Sequence, residues 1–225
     1  MSKDRPLRGP SARNAWVQVR EILPTIMGES KFAGWPCLLI RLAGCNLRCS
    51  YCDTDYAWTG GKKMSVEAVV KAAIRHRRPR VLLTGGEPLL QEHTPLLIKA
   101  LIEKGFQVSL ETNGSLDISP VLWSVHIVMD LKTPDSGCVK HNLLENLERL
   151  KPGDELKFVL AGRNDYLWAR RTLKNYEQLH RGRRFEAVFS PVHLRLKPAR
   201  LYEWIIKDRL NVRFGLQLHK YIGAP

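Results

Sequence analysis

Cys45-Asn46-Leu47-Arg48-Cys49-Ser50-Tyr51-Cys52 carries three thiols separated by three and then two residues. A short loop with this spacing can set one thiolate on each of three corners of a 4Fe-4S cube, leaving the fourth iron without a protein ligand. Such an open iron binds a small chelating molecule, and the amino and carboxylate groups of S-adenosylmethionine suit it. A structural zinc site would need a fourth donor close by, usually a second paired motif, and the remaining cysteines, Cys37 and Cys138, stand alone. A disulfide framework fits poorly with an odd five cysteines. Cys37 and Cys138 read as small buried hydrophobes.

The segments on either side explain how the loop is held. Pro36–Leu42 reads as a buried strand that delivers the loop, with one charged residue, Arg41, among apolar ones. An arginine there is costly unless paired. It meets either a structural carboxylate or a ligand anion, and the ligand is favoured because guanidinium groups clamp carboxylates through two parallel bonds. Upstream, Trp16–Leu23 alternates apolar and polar residues as an edge strand would, and a glycine-bearing loop over 25–30 follows.

Downstream the chain alternates helices and strands. Ser65 caps a helix with Val66, Val69, Val70, Ala73 and Ile74 on one face, ending before Pro79. Strand Val81–Thr84 runs into Gly85-Gly86-Glu87-Pro88, whose glycines allow a close-lying ligand. A helix capped by Thr94 ends at Gly105. Strands are expected at Phe106–Glu111, Val125–Leu131, Glu155–Leu160, Phe185–Phe189 and Val212–Leu218, and helices at Asn142–Leu150, Asp165–Leu179 and Pro198–Asp208. Right-handed crossovers then give a mostly parallel α/β sheet, as an open or partial barrel. Ligands bind such sheets at the strands' carboxyl ends, where the cysteine loop, the GGEP turn, Glu111–Gly114, Asp130, Lys132 and Ser190-Pro191 all fall.

At 225 residues the chain suits one domain over 16–225, preceded by a basic tail over 1–15 that is expected to be disordered. No apolar run approaches the roughly 20 residues of a membrane span, and the tail has no apolar segment for a signal peptide, so a cytoplasmic, membrane-free protein is expected. The net charge of +14 includes concentrations at Arg75–Arg80 and Arg181–Arg184. No RNA-binding motif surrounds the aromatics, so the charge reads as a solvated surface rather than a nucleic-acid site.

With the CxxxCxxC loop and the GGEP turn in hand, the chain resembles the radical S-adenosylmethionine superfamily, which implies a partial (β/α)6-type TIM barrel. Thr25–Ser30, Cys52-Asp53-Thr54, Thr84–Pro88, Glu111–Gly114 and the closing Gln217–Pro225 narrow the resemblance to the 7-carboxy-7-deazaguanine synthase family. That family contracts the ring of 6-carboxy-5,6,7,8-tetrahydropterin with loss of ammonia, on the queuosine route of tRNA modification. It works as a magnesium-dependent homodimer.

The resemblance implies a 4Fe-4S cluster on Cys45, Cys49 and Cys52, with magnesium on Thr54. It places S-adenosylmethionine against Tyr51, Cys52, Asp53, Gly86, Asp130, Leu131, Lys132, Ser190, Pro191, Val192 and His193. The pterin would meet Ile26, Met27, Gly28, Arg41, Thr84 and the main chain of Pro225. No separate catalytic side chain is implied beyond these. A flavodoxin or ferredoxin would supply electrons. Met27 stands where the family's loop carries Gln, leaving backbone contacts there. Asp130-Leu131-Lys132 replaces Ser-Pro-Lys, and Ser190-Pro191-Val192-His193 replaces Gln-Pro-Met-Asp. A glycyl-radical activase shares the cysteine loop but gives no reason for Cys52-Asp53-Thr54 or the closing segment, and a non-catalytic iron-sulfur electron carrier leaves the rim glycines without a purpose.

Overall fold

The computed structural model describes residues 14–180, 182 and 184–225. Most of the basic tail, and two arginines of the Arg181–Arg184 concentration, lie outside the described residues. Ala15, at the tail's end, is fully buried, and its carbonyl accepts from Val66 N at 2.9 Å.

The alternation that starts at Trp16 forms β1 (Trp16–Ile26), which pairs antiparallel with β2 (Pro36–Leu42). β1 is not the edge of the sheet. A short strand with no apolar alternation, β3 (Lys62–Ser65), pairs outside it. Ser65 then caps α1 (Val66–His76), its Oγ accepting from Ala68 N at 3.2 Å, and Val66, Val69, Val70 and Ala73 are buried. Ile74 lies off that face and is largely exposed.

β4 (Arg80–Gly85), α2 (Thr94–Glu103), β5 (Gln107–Thr112) and β6 (His126–Asp130) follow. Thr94 is the first residue of α2 rather than its cap, because its hydroxyl donates to Pro88 O at 2.5 Å. The helix expected at 142–150 is replaced by 3-10 turns at Val139–His141 and Leu144–Glu148. The buried Asn146 explains this: its side chain accepts from Ile118 N and donates to Leu116 O and Gly114 O, and these bonds hold a turn instead.

The chain ends with β7 (Glu155–Leu160), α3 (Arg163–His180), β8 (Glu186–Pro191), α4 (Pro198–Lys207), β9 (Arg213–Phe214) and α5 (Leu218–Ile222). The expected last strand, 212–218, is thus only two residues long, and its end turns into a helix. The sheet order is β3-β1-β2-β4-β5-β6-β7-β8-β9, with β2 and β4 to β9 parallel. This is the partial barrel expected.

Period-two alternation sorts the strands' side chains. Leu38, Ile40, Leu83, Leu110, Met129, Phe158 and Phe189 pack with Leu97, Leu101, Tyr166 and Leu201 of the helices. The intervening residues face the barrel interior, which is apolar low down, where Cys37, Leu39 and Leu82 pack with Met27, and charged higher up at Arg41, Glu111, Asp130 and Lys157. The turn between β1 and β2 closes the strands' amino ends. Lys31 N donates to Glu155 Oε1 at 2.6 Å, Lys31 Nζ to Gly153 O at 2.6 Å, and the Phe32 ring meets His126 edge-on at 4.9 Å. Among the described residues no helix is long and apolar enough to cross a membrane.

Candidate active site

The cysteine loop leaves β2 through Gly44, at φ +97°, and lies against the GGEP turn backbone to backbone. Gly86 N donates to Leu42 O at 3.1 Å and Glu87 N to Gly44 O at 2.8 Å. A Cβ on Gly86 would stand 2.2 Å from Gly44 O, and one on Gly85 2.3 Å from Leu42 O. What lies close to these glycines is therefore the cysteine loop itself. Glu87 is fully buried and ties the turn to the end of β5, accepting from Leu89 N at 2.9 Å, Thr112 Oγ1 at 2.9 Å and Asn113 N at 2.6 Å. Ser50 N donates to Ser136 O at 3.0 Å, which adds a third anchor.

Cys45, Cys49 and Cys52 all line a cavity of about 480 Å³, and all are free and half-buried. Among the described residues no three His, Cys, Asp or Glu side chains converge on a point that one ion could occupy. Three thiols on one cavity wall can serve a cube that takes one cysteine per iron. Burial pushes the Cys49 thiol up to about 12 despite the opposing charge of Lys132.

The inner wall is a charge ladder. Lys132 Nζ lies 2.6 Å from Asp130 Oδ2, and Lys157 Nζ lies 3.2 Å from Asp130 Oδ1 and 2.5 Å from Glu29 Oε2. Burial raises Glu111 to about 7; Lys157 opposes this, and the Glu29 charge adds to it. Arg41 meets the structural carboxylate of the two partners considered for it. Its Nε donates to Glu21 Oε1 at 2.5 Å, and the residue still lines the cavity. Tyr51 is fixed by its hydroxyl, which donates to Val159 O at 3.1 Å.

Gln217, His219, Lys220, Ala224 and Pro225 of the closing segment line the other side of the cavity. Leu218 N donates to Gly28 O at 2.8 Å, and a Cβ on Gly28 would stand 2.0 Å from His219 Nδ1, so a side chain there would displace the His219 ring. Gln217 Nε2 donates to Glu29 Oε1 at 2.8 Å, and Lys220 Nζ lies 2.8 Å from Asp53 Oδ2. Burial alone would raise Asp53; the bond and charge of Lys220 hold it at about 2. Thr54 Oγ1 donates to Asp53 Oδ1 at 2.9 Å, leaving its lone pairs to the cavity.

Of the expected site residues, Ile26, Gly28, Arg41, Thr84 and Pro225 share this cavity with the three cysteines. Tyr51, Asp53, Thr54, Gly86, Asp130, Lys132, Val192 and His193 share it too. Four do not line it. Met27 is 2% exposed and packs on Cys37 and Leu39, and Leu131 is buried in the helix-facing core. Ser190 faces a neighbouring space beside Arg213, and Pro191 a shallow groove beside Tyr221. Sequence reasoning passed over Glu29, Lys157, Gln217, His219 and Lys220, all on the cavity wall. Lys157 carried the signal that marked Arg41, a charge where the strand pattern asks for an interior side chain, whereas Glu29 in its loop and the three residues of the closing segment have no periodicity to reveal them.

The family model described as the radical SAM superfamily matches residues 39–151. The 7-carboxy-7-deazaguanine synthase of Chlorobaculum tepidum is 42% identical over 216 residues, covering 93% of this chain and 95% of the relative. The synthase of Koribacter versatilis is 37% identical, covering 93% and 98%. Among solved structures, QueE from Escherichia coli has a like fold, with a TM-score of 0.73 and 23% identity over 89% of this chain and 93% of that one. With a cysteine loop seated on a glycine turn at one side of the cavity and these relatives spanning nearly its whole length, the chain belongs to the 7-carboxy-7-deazaguanine synthase family of the radical SAM superfamily.

Proposed function

We propose that the protein converts 6-carboxy-5,6,7,8-tetrahydropterin to 7-carboxy-7-deazaguanine with release of ammonia, a step toward queuosine. The observation that carries this reading is the sharing of one cavity by the three cysteines, Arg41, Thr84 and the closing segment down to Pro225. When bound, the 4Fe-4S cluster and S-adenosylmethionine supply a 5'-deoxyadenosyl radical able to take hydrogen from the substrate carbon that bears the carboxylate.

The chain's own residues bind and orient. Cys45, Cys49 and Cys52 hold the cluster, and the main chain at Gly86, packed on the cysteine loop, seats the methionine amino group. Tyr51, pinned to Val159 O, lies along the adenine, with Asp53, Asp130, Lys132, Val192 and His193 bordering the rest. Leu131, Ser190 and Pro191 take part through the main chain, their side chains being turned elsewhere. Arg41 clamps the pterin carboxylate with the guanidinium nitrogens that Glu21 does not use.

Thr54 offers Mg²⁺ one hard oxygen, since its proton is spent on Asp53, and the substrate carboxylate completes the shell. Ile26, Gly28 and Thr84 form the pterin floor, with Met27 contributing backbone only. The closing segment shields the cavity from water, because a carbon radical attacks whatever hydrogen lies nearest. The enzyme acts as a cytoplasmic homodimer of one folded domain each, reduced by an external flavodoxin or ferredoxin. The test is anaerobic incubation of the reconstituted, reduced enzyme with S-adenosylmethionine, Mg²⁺ and the pterin. A product with the mass of 7-carboxy-7-deazaguanine is expected; 5'-deoxyadenosine with unchanged pterin would overturn the substrate.

A further inference from the structure

The cysteine loop has an outer side as well as a cavity side. Cys45, Cys49, Tyr51 and Cys52 line the cavity, whereas Asn46, Arg48 and Ser50 do not and are exposed. Two guanidinium groups sit on this outer edge. Arg48 Nη1 donates to Leu47 O at 2.7 Å and Cys45 O at 2.9 Å, with its guanidinium 4.6 Å over the Trp58 ring. Arg195, from the loop between β8 and α4, donates from Nη2 to Ser50 O at 3.1 Å. Among the described residues neither forms an ion pair, and each keeps N–H groups free for a carboxylate.

Beside Arg195, Leu194 is 92% exposed and held at φ +64°. A lone exposed leucine needs no explanation, but one fixed in the left-handed region marks a site where local strain is maintained. Lys197 is exposed on the same loop, and one carboxylate, Asp135, is exposed where its carbonyl takes the Ser50 hydroxyl at 2.6 Å. The edge is an apolar knob among cations, on a chain of net charge +14.

We propose that Arg48, Leu194, Arg195 and Lys197 form the docking face for a small acidic one-electron carrier protein, which approaches the cluster from the side away from the cavity. The inference rests on the cluster reading above and adds where the reductant binds. One electron leaves the carrier, which is oxidised by one unit, and enters the cluster, which is reduced by one unit; no bond breaks and no proton need cross. Opposite charge steers such an encounter and fixes its register, and the substrate cavity stays free for S-adenosylmethionine and the pterin.

The experiment uses an acidic, FMN-bearing flavodoxin as the probe and measures its Kd for the cluster-loaded enzyme, wild type and the variants Arg195→Glu and Leu194→Asp. The expected result is a Kd raised about tenfold in Arg195→Glu, with 5'-deoxyadenosine formation driven by dithionite unchanged within about twofold. Wild-type affinity should weaken markedly between about 50 and about 300 mM salt. Wild-type flavodoxin affinity in both variants, or a wild-type Kd indifferent to salt, would overturn the docking face. Failure of wild type to cleave S-adenosylmethionine even with dithionite would overturn the cluster reading beneath it, a different result from loss of flavodoxin binding alone.

Discussion

The two sides of the cavity are held by different kinds of bond. On one side the cysteine loop is fastened by main-chain bonds from Gly86, Glu87 and Ser50 and by glycines with no room for a Cβ. On the other, the closing segment is fastened by one main-chain bond at Leu218 and otherwise by side chains, Gln217 on Glu29 and Lys220 on Asp53. Glycines packed against main chain admit no side chain, whereas a half-exposed ion pair such as Lys220–Asp53 contributes little. The cysteine side is a seat held mainly through its backbone; the closing segment is a cover held mainly through side chains.

The comparison breaks most severely at Gly86. A Cβ there meets main chain on Gly44 rather than a movable side chain, so Gly86→Ala should cost about 3 kcal/mol and lose the cluster, checked by denaturant unfolding and iron content. Arg41→Ala leaves the seat alone and should raise the pterin KM about tenfold to a hundredfold, as expected for loss of a charged bidentate partner; an unchanged KM would confine Arg41 to its bond with Glu21.

Most of the seat was legible in advance because it is written in short-range signals. Pro36–Leu42 and Glu155–Leu160 are strands with the bounds that their apolar runs suggest. The cover was not. Val212–Leu218 alternates like a strand, yet Gly215 N and Leu218 N bond to Phe189 O and Gly28 O, and the chain then turns into α5, so distant partners decide its shape. β3 escaped notice for the same reason, since Lys62–Ser65 is a strand only because β1 lies beside it. Met27 shows the converse: its place in the loop suggested a ligand contact, but an unbranched apolar side chain finds the core.

Two smaller effects sharpen the comparison. Thr54→Ala should leave iron content unchanged and raise the Mg²⁺ concentration for half activity about tenfold, the equivalent of roughly 1.4 kcal/mol for one lost oxygen ligand. An unchanged Mg²⁺ response would remove Thr54 from the metal. Glu111 is raised from its ordinary 4.5 to about 7, first by burial, so between those values the folded chain binds more protons than the unfolded one. Stability should therefore fall as pH rises from 4.5 to 7, and Glu111→Gln should flatten that fall, measured as Tm by thermal unfolding across that range.

The most direct measurement compares Lys220→Ala with wild type after anaerobic reconstitution, counting iron per chain and titrating the pterin on the same sample. If seat and cover are independent, the variant should hold as much iron as wild type while binding the pterin several-fold more weakly, about 1 kcal/mol for the lost pair with Asp53. A variant that loses iron in proportion to pterin affinity would contradict the account, because the cover would then be part of the seat.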